Sequence, residues 1–331
     1  EKNHYIGVDI SKKTIDVAIY KKEKAGKAVL CEKFHNSPNG FKDMKRWLRK
    51  CGVTLAESLF CMEATGHYTY ELCLFLEQQK VVYSVQSPLH LKRSFGLAHG
   101  KSDKVDAYRI AYYAYLHRED IKPSQLATNS IRKLKALMAE RKSLVVEIAR
   151  CKAQLNESGS HSSSPGTIKR TKELLEFLET QVIELENEMV ESINSEEELK
   201  SNYQLLLSIS GIGIVNAVNT IIATHNFKMF DNARQYASYI GVAPFEHTSG
   251  TSVRGKTRVE SGAKMLKADL TGAVRTCINH DNEIRKYYGR KIAEGKPYGV
   301  VANAIKFKLL LRMFAVIKRG TPFVKKAGHL I

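Results

Sequence analysis

The chain has 331 residues, 43% of them hydrophobic, which is enough for two or three domains with buried cores. Its formal net charge of +18 is typical of proteins that bind polyanions such as nucleic acids. No run of about 18 apolar residues occurs, so we expect no membrane partner, and the first residues lead directly into a strand pattern without a signal peptide. Six scattered cysteines without zinc-ligand spacing indicate reduced thiols in a cytoplasmic protein.

The first 125 residues have the pattern of an α/β domain. Apolar residues alternate over 5–10, 15–20 and 28–34, which predicts three strands of an antiparallel meander. A helix pattern after Gly40, a strand ending at Glu63, a helix over about 67–79 and a strand over 81–85 follow. This order of elements is typical of an RNase H-like fold, whereas a parallel-sheet kinase fold alternates strand and helix from its start.

Four acids in this region are candidates for a metal site. Asp9 lies on the first strand, Glu63 ends a later strand, and Asp103 and Asp106 begin a helix predicted over 103–116. Residues three apart share one side of a helix. Clustered carboxylates repel one another unless a cation lies between them, and Mg²⁺ suits a few carboxylates plus phosphate oxygens. The spacing alone is also compatible with a solvated acidic face. Two other acids are predicted to be surface residues: Asp16 and Asp43.

Residues 126–200 carry two long helix patterns on either side of a Ser/Gly-rich segment, 158–166, which is predicted to be a flexible loop. The pattern predicts an antiparallel coiled-coil hairpin or a dimerisation arm. The second helix is acidic, with 4 Lys and Arg against 11 Asp and Glu over 156–200, which argues against contact with phosphates. Its heptad positions predict an oligomer: Leu175, Leu178, Val182, Leu185 and Met189.

Residues 201–331 are basic, with 20 Lys and Arg against 7 Asp and Glu, and their pattern predicts mostly short helices. Around Gly211 and Gly213 the pattern is helix, glycine-containing hairpin, helix. Such glycines let backbone amides approach phosphate closely at a helix N-terminus. The pattern therefore favours a helix-hairpin-helix nucleic-acid-binding motif over a plain helix–helix turn, although both remain open.

Read together, motifs across nearly the whole chain resemble one family, the DEDD transposases of the 110-type insertion sequences, a group that includes Piv-type DNA invertases. The N-terminal half carries three of these motifs: Tyr5-Ile6-Gly7-Val8-Asp9-Ile10-Ser11-Lys12, Met62-Glu63-Ala64-Thr65-Gly66-His67-Tyr68 and Lys101-Ser102-Asp103-Lys104-Val105-Asp106-Ala107. The C-terminal half carries three more: Ser210-Gly211-Ile212-Gly213, Tyr239-Ile240-Gly241-Val242-Ala243-Pro244 and Ser249-Gly250-Thr251-Ser252-Val253-Arg254-Gly255.

The resemblance implies an RNase H-like (RuvC-like) N-terminal domain over 1–125 in which Asp9, Glu63, Asp103 and Asp106 hold Mg²⁺. It implies a helical transposase domain over 201–331 whose Ser249 forms a covalent phosphoserine link to DNA. It further implies double-stranded donor and target DNA, a structured guide RNA that pairs with both, and a homo-oligomer, a dimer or tetramer, with composite active sites. The expected location is the prokaryotic cytoplasm, in association with the nucleoid.

The assignment of Ser249 depends mainly on this resemblance. The segment from 249 to 256 is rich in hydroxyls and glycine, and Ser252 is a rival nucleophile. A free serine needs a base or a metal nearby to attack, and no local His/Asp triad is present. Four basic residues are predicted to contact nucleic-acid phosphates: Arg254, Lys256, Arg258 and Lys264.

Three other functions are compatible with parts of the sequence. A RuvC-like, structure-specific nuclease would use metal-activated water and leave Ser249 without a role. A nucleic-acid-binding protein with an inactive nuclease core would be expected to lose acids, and all four are present. A sugar-kinase-like ATPase would need a second phosphate-binding Gly/Asp signature, which does not follow the first strand.

Overall fold

In the computed structural model, residues 2–21, 30–94, 103–158, 164–245, 258–259 and 262–324 are described. The chain divides into two compact units, Glu1–Leu126 and Ala127–Ile331. The first unit is mixed α/β and the second is mostly helical. All six cysteines are free thiols. In the parts of the chain that the structure describes, no helix is long and apolar enough to cross a membrane.

One five-stranded sheet forms the centre of the first unit, with strand order β3-β2-β1-β4-β5. The strands are β1 (His4–Ile10), β2 (Thr14–Lys21), β3 (Leu30–His35), β4 (Ser58–Glu63) and β5 (Val82–Gln86). The helices are α1 (Pro38–Lys50), α2 (Tyr70–Gln78), α3 (Pro88–Ser94) and α4 (Asp103–Leu116), with short 3-10 helices at Leu55–Glu57 and Gly66–Thr69. β1, β2 and β3 are antiparallel neighbours, whereas β1, β4 and β5 are parallel.

The two faces of the sheet are covered by different helices because side chains alternate along each strand. On β1, Ile6, Val8 and Ile10 pack into a core with apolar residues of α1 and α2. Tyr5 lies on the other face, in a second core with Ile110 and Ala111 of α4. By the same alternation, Gly7 and Asp9 share the α4 face with Tyr5.

The predicted order of three strands, helix, strand, helix, strand is confirmed for the first unit, and α4 spans the predicted residues 103–116. The second helix begins later than predicted, at Tyr70, because a 3-10 turn precedes it. Residues 28 and 29 of the predicted third strand lie outside the described residues. The sequence pattern did not predict α3.

The second unit contains the remaining elements. The helices are α5 (Asn129–Ser158), α6 (Pro165–Asn194), α7 (Glu197–Leu207), α8 (Ile214–Thr224), α9 (Ala233–Tyr239), α10 (Lys264–His280), α11 (Asn282–Ala293) and α12 (Tyr298–Arg319). The strands β6 (Pro244–Phe245) and β7 (Arg258–Val259) pair with each other. Residues of α5 and α6 share one hydrophobic core with α7 to α12. As predicted, most of the helices described in the basic region are short: α7 and α8 have 11 residues each, α9 has 7 and α11 has 12, whereas α10 has 17 and α12 has 22.

Helices α5 and α6 pack against each other as an antiparallel hairpin within the chain. Leu178, Leu185 and Met189 of α6 are buried, so this seam is filled by the chain's own residues and does not by itself require a second copy. Ion pairs that cross the hairpin within its described residues include Lys133–Glu188 at 3.0 Å, Arg141–Glu186 at 2.7 Å and Lys152–Glu179 at 2.8 Å. The acidic character of α6 is therefore matched by the basic character of α5.

The connection between α5 and α6 is shorter than the predicted loop of residues 158–166. Ser158 is the last residue of α5, and Pro165 and Gly166 already belong to α6. Ser164 caps α6, because its hydroxyl accepts a hydrogen bond from the backbone N–H of Thr167, and a proline suits the first helical position. Residues 159–163 lie outside the described residues.

Candidate active site

A row of charged side chains crosses three neighbouring strands on the α4 face of the sheet. Asp9 of β1 is the register partner of Asp16 on β2, and Asp16 is the register partner of Lys33 on β3. On the other side of β1, Val8 is level with Met62 of β4, so Glu63 follows at the level of Asp9. Strand pairing thus brings residues far apart in sequence to one end of the sheet.

Helix α4 adds the remaining two acids to this end of the sheet. Asp103 and Asp106 lie in its first turn. The pKa of Asp9 is raised, first by burial and then by the negative charges of Asp103 and Asp106, with Asp16 and Glu63 contributing less. The structure therefore places the other three predicted acids, and Asp16 with them, within electrostatic reach of Asp9.

α4 reaches the sheet closely because Gly7 and small residues of α4 meet there. A Cβ atom on Gly7 would lie 2.0 Å from the Ala107 carbonyl oxygen and 2.2 Å from the Ala111 amide nitrogen. Ala107 and Ala111 are themselves fully buried. Only glycine permits this approach, which sets the distance between Asp9 on β1 and the two acids of α4.

Three of these five acids are engaged by cationic side chains: Asp16, Asp103 and Asp106. Lys33 Nζ lies 3.2 Å from Asp103 Oδ2 and also 3.2 Å from Asp16 Oδ2. Arg109 donates a hydrogen bond to Asp106 Oδ1 at 3.0 Å. These contacts offset part of the repulsion among the carboxylates.

The prediction that Asp16 is a surface residue is wrong: Asp16 is only 4% exposed. Its strand alternates, with Ile15, Val17 and Ile19 packed into the core on one face. The other face, which carries Asp16, is covered by α4, an element that follows some 90 residues later in the chain. Asp16 Oδ1 is buried without a hydrogen-bond partner, and so is the Thr65 hydroxyl two residues after Glu63.

The donor set suits a divalent cation, although its side chains are not arranged around one. Among the described residues, no three His, Cys, Asp or Glu side chains are already placed to hold a metal ion. Asp103 and Asp106 have partly exposed side chains and are held by Lys33 and Arg109. Rotation of these side chains away from their cationic partners would offer carboxylate oxygens, which hard cations such as Mg²⁺ prefer. The residues therefore fit the cation by chemistry and by position in the fold.

The glycine-containing hairpin joins α7 and α8, as the sequence pattern predicts, and gives its two glycines different environments. Gly211 has a positive φ of 84°, and a Cβ there would lie 2.5 Å from Cys277 Sγ and 2.7 Å from the Ala273 carbonyl oxygen of α10. Gly213 is exposed at the N-terminus of α8, where no side chain caps the helix. Gly211 is thus required for packing, whereas Gly213 leaves backbone amides accessible.

The segment with the predicted nucleophile connects β6 to β7. Each of these strands has two residues, and the two strands pair antiparallel. Ser249, Ser252, Arg254 and Lys256 lie outside the described residues. Arg258 lies on β7, and Lys264 is exposed as the first residue of α10.

The backbone before β6 is anchored by side chains that the sequence pattern did not single out. Lys267 of α10 donates a hydrogen bond to the Gly241 carbonyl at 2.7 Å. Asn303 of α12 donates one to the Val242 carbonyl at 2.8 Å. The Ala263 amide donates to the Tyr239 carbonyl at 3.1 Å. No motif or spacing in the sequence marks Lys267 or Asn303 for this role, because it depends on tertiary contacts of α10 and α12.

Two family models match the chain, one described as a transposase of the DEDD, IS110 type over residues 6–158 and one described as the IS116/IS110/IS902 transposase family over residues 203–289. The first covers the sheet and all four acids, and the second covers the glycine hairpin and the β6–β7 region. The chain belongs to the IS110 family of transposases, enzymes that cleave and transfer DNA strands.

Relatives with described names agree with this family. The chain is 26% identical to the pilin gene-inverting protein of Moraxella bovis over 97% of this chain and 98% of that protein. The pilin gene-inverting protein of Moraxella lacunata gives the same identity and coverage. An insertion element IS110 protein of Streptomyces coelicolor is 30% identical over 35% of this chain and 29% of its own length.

Proposed function

We propose that this transposase is an RNA-guided DNA recombinase that combines a Mg²⁺ site in an RNase H-like, RuvC-like domain with a nucleophilic serine. The observation that carries the proposal is the convergence of Asp9, Glu63, Asp103 and Asp106 at one end of the sheet, where burial and then the other acids raise the pKa of Asp9. The strand order 3-2-1-4-5, with β1 to β3 antiparallel, supports the RNase H-like assignment.

The acids and the serine have separate roles in this mechanism. Asp9, Glu63, Asp103 and Asp106 would hold Mg²⁺, which when bound activates the attacking hydroxyl and stabilises the leaving oxygen. Asp9 is fixed on the sheet, whereas Asp103 and Asp106 adjust at the start of α4. The pKa of Asp9 is raised first by burial and then by the neighbouring acids, and a bound cation would offset both effects by stabilising the ionised carboxylate.

Ser249 would cleave DNA by transesterification. Its Oγ attacks a backbone phosphorus, a bond from phosphorus to Ser249 forms, and the bond to one deoxyribose oxygen breaks. The serine proton ends on the released DNA hydroxyl. The phosphoserine ester conserves the free energy of the broken phosphodiester, so attack by a hydroxyl of another strand reseals DNA without ATP and releases Ser249.

Double-stranded DNA and a structured guide RNA are the proposed nucleic-acid partners. The basic residues of 201–331, 20 Lys and Arg against 7 acids, support a grip on phosphates. The uncapped N-terminus of α8 after Gly213 and the exposed Lys264 are suited to the same role. Backbone contacts position a nucleic acid without reading its sequence, so we assign the choice of target to RNA pairing.

A homo-oligomer, a dimer or tetramer, is the proposed assembly. The heptad positions of α6 pack within the chain, so they do not support an oligomer. The support comes from the exposed surface of α6. Leu174 and Phe177, three residues apart on α6, are 49% and 59% exposed. Apolar side chains so exposed on one side of a helix favour burial against another surface.

Substitution of the serine separates a recombinase from a nuclease, and substitution of the acids tests the metal site that both would need. Asp9→Asn, Glu63→Gln, Asp103→Asn and Asp106→Asn should each abolish strand cleavage while binding of RNA and DNA persists. Ser249→Ala should abolish cleavage and joining, whereas Ser252→Ala should retain both. A metal-dependent nuclease that uses water would continue to cut DNA after Ser249→Ala, and full recombination by any acid variant would remove that residue from the site.

The near full-length similarity to two pilin gene-inverting proteins supports a second candidate, DNA inversion. For this candidate we propose that the protein itself, and not an RNA, recognises the DNA sequence. The test is recombination by purified protein, freed of RNA by nuclease treatment, on DNA substrates of different sequence. Loss of activity that returns with the element's own RNA supports guidance by RNA. Efficient inversion of one specific sequence without RNA supports the second candidate instead.

A further inference from the structure

The charged row on the sheet extends beyond the four acids that the family motifs contain. Asp16 stands next to Asp9 across the β1–β2 pair, and Lys33 stands next to Asp16 across the β2–β3 pair. Lys33 Nζ bridges two carboxylates, with 3.2 Å to Asp16 and 3.2 Å to Asp103. One lysine therefore links the sheet to the first residue of α4.

The two carboxylates that share Lys33 differ sharply in exposure. The side chain of Asp16 is 5% exposed, whereas that of Asp103 is 66% exposed. A buried carboxylate strongly requires a counterion, and an exposed one is stabilised by water. Asp16 therefore holds Lys33 in place, while Asp103 is free to exchange the lysine for another cation.

Asp16 also retains unused capacity for a hydrogen bond or cation. Its Oδ1 atom is buried and has no hydrogen-bond partner. It lies in the row beside Asp9, on the face of the sheet that α4 covers. An unpartnered carboxylate oxygen at this position points to a site that is completed by a cation or its water ligands.

We propose that Asp16 and Lys33 form a built-in counterion pair that sets the affinity of the acidic site for divalent metal, because Lys33 occupies Asp103 until the metal displaces it. This inference rests on the proposed metal site. Displacement leaves Lys33 paired with Asp16, so its charge remains next to the metal and weakens binding. The pair is a positioning element and takes no part in bond making.

The two members of the pair have opposite effects on metal affinity. Lys33→Met removes the competitor for Asp103 and adds one net negative charge to the site, so the metal should bind more tightly. Asp16→Asn leaves Asp103 as the sole carboxylate partner of Lys33 and removes one negative charge, so the metal should bind more weakly. For a partly exposed pair we expect roughly three- to tenfold changes in the dissociation constant.

The experiment measures Mn²⁺ binding to the full chain, without nucleic acid, by electron paramagnetic resonance of the free ion. Lys42→Met and Asp43→Asn, at exposed positions on α1, are controls that make the same changes of charge. Thermal melting without metal checks that each variant is folded. If Asp16→Asn does not fold, Lys33→Arg replaces it, because it keeps the charge and should bind Mn²⁺ like the wild type while Lys33→Met binds more tightly.

The outcomes distinguish this inference from the metal site itself. Tighter binding by Lys33→Met and weaker binding by Asp16→Asn, each relative to its control, supports the counterion pair. Dissociation constants within twofold of the controls, or shifts in the same direction, overturn it while the metal site stands. Wild-type protein whose Mn²⁺ binding is absent, or unaffected by Asp9→Asn, overturns the metal site.

Discussion

The close contact between β1 and α4 can be tested with a single added methyl group, Gly7→Ala. Gly7 has an ordinary backbone conformation, so the substitution acts only through its new Cβ. That atom would lie 2.0 Å from the Ala107 carbonyl oxygen and 2.2 Å from the Ala111 amide nitrogen. Both neighbours are backbone atoms of α4, which cannot rotate away as a side chain would. The helix as a whole must move.

The size of this movement determines the expected effects. Ordinary contact of a Cβ atom begins near 3.4 Å, so α4 must retreat by about 1.4 Å. Overpacking of a core costs about 1–3 kcal/mol, and the rigid backbone on the α4 side puts this case at about 3 kcal/mol or more. Metal-ligand distances tolerate only about 0.2 Å. A misplacement of about 1 Å lowers rates on the order of a hundredfold, so strand cleavage should fall by at least that factor.

Thermal melting and strand cleavage are measured on the same preparation, with Gly289→Ala as the matched control. Gly289 lies exposed on α11 with nothing within 4 Å of an added Cβ, so alanine there should be neutral or stabilise by up to about 1 kcal/mol. Ala111→Gly should not rescue Gly7→Ala, because the clash is with backbone. Wild-type melting and cleavage by Gly7→Ala would refute the close packing. A destabilised variant with normal cleavage would refute its role in placing the acids.

Three further predictions concern other parts of the molecule. Folding raises the pKa of Asp9 above its ordinary value of 3.8. Ionised Asp9 therefore opposes folding at pH values above the raised pKa, and this effect disappears below the ordinary pKa. In the absence of metal, Asp9→Asn should raise the melting temperature at pH 7.5, and the gain should vanish as the pH falls towards 4. An equal gain at both pH values would contradict this cause. Gly211→Ala should lower the free energy of unfolding by about 2–5 kcal/mol, because the backbone has a positive φ there and the new Cβ would overlap with α10. A second substitution, Cys277→Ala, should restore only part of this stability, since the Ala273 carbonyl oxygen would still lie 2.7 Å from the new Cβ. Leu185→Asp should destabilise the chain by about 3 kcal/mol or more, because Leu185 is buried within the hairpin. Phe177→Asp should leave the melting temperature unchanged and reduce the mass of the assembly measured by light scattering. A Phe177→Asp variant that still assembles fully would exclude that surface as the interface.

The N-terminal domain was predictable because its elements are short and locally patterned. The alternation of apolar residues predicts β1 and β2. The position of Asp103 and Asp106, three residues apart at the start of a helix pattern, predicts that both acids lie on one side of α4. Asp16 was missed for a physical reason. Its face of β2 resembles a solvated face in sequence, and only a helix much later in the chain buries it. Lys33 was missed with it, since its role depends on strand register.

The charge pattern was only partly informative. The acidic residues of 156–200 argue against contact of this segment with phosphates, and the structure shows what several of them do instead, because α5 and α6 pair their opposite charges within one hairpin. The heptad positions of α6 likewise indicated a partner helix, and that helix is α5 of the same chain. Periodicity identifies a buried seam without specifying whether the partner belongs to the same molecule.

The central claim, a covalent serine–DNA intermediate that depends on the acids, is tested most directly by mapping a trapped adduct. A DNA substrate that cannot be religated is incubated with guide RNA, Mg²⁺ and protein, and the denatured product is digested and analysed by mass spectrometry. We predict a nucleotide adduct on the peptide that contains Ser249, present in Ser252→Ala and absent from Ser249→Ala and Asp9→Asn. Cleaved DNA with free ends and no adduct on any peptide would contradict the account and make the enzyme a hydrolytic nuclease.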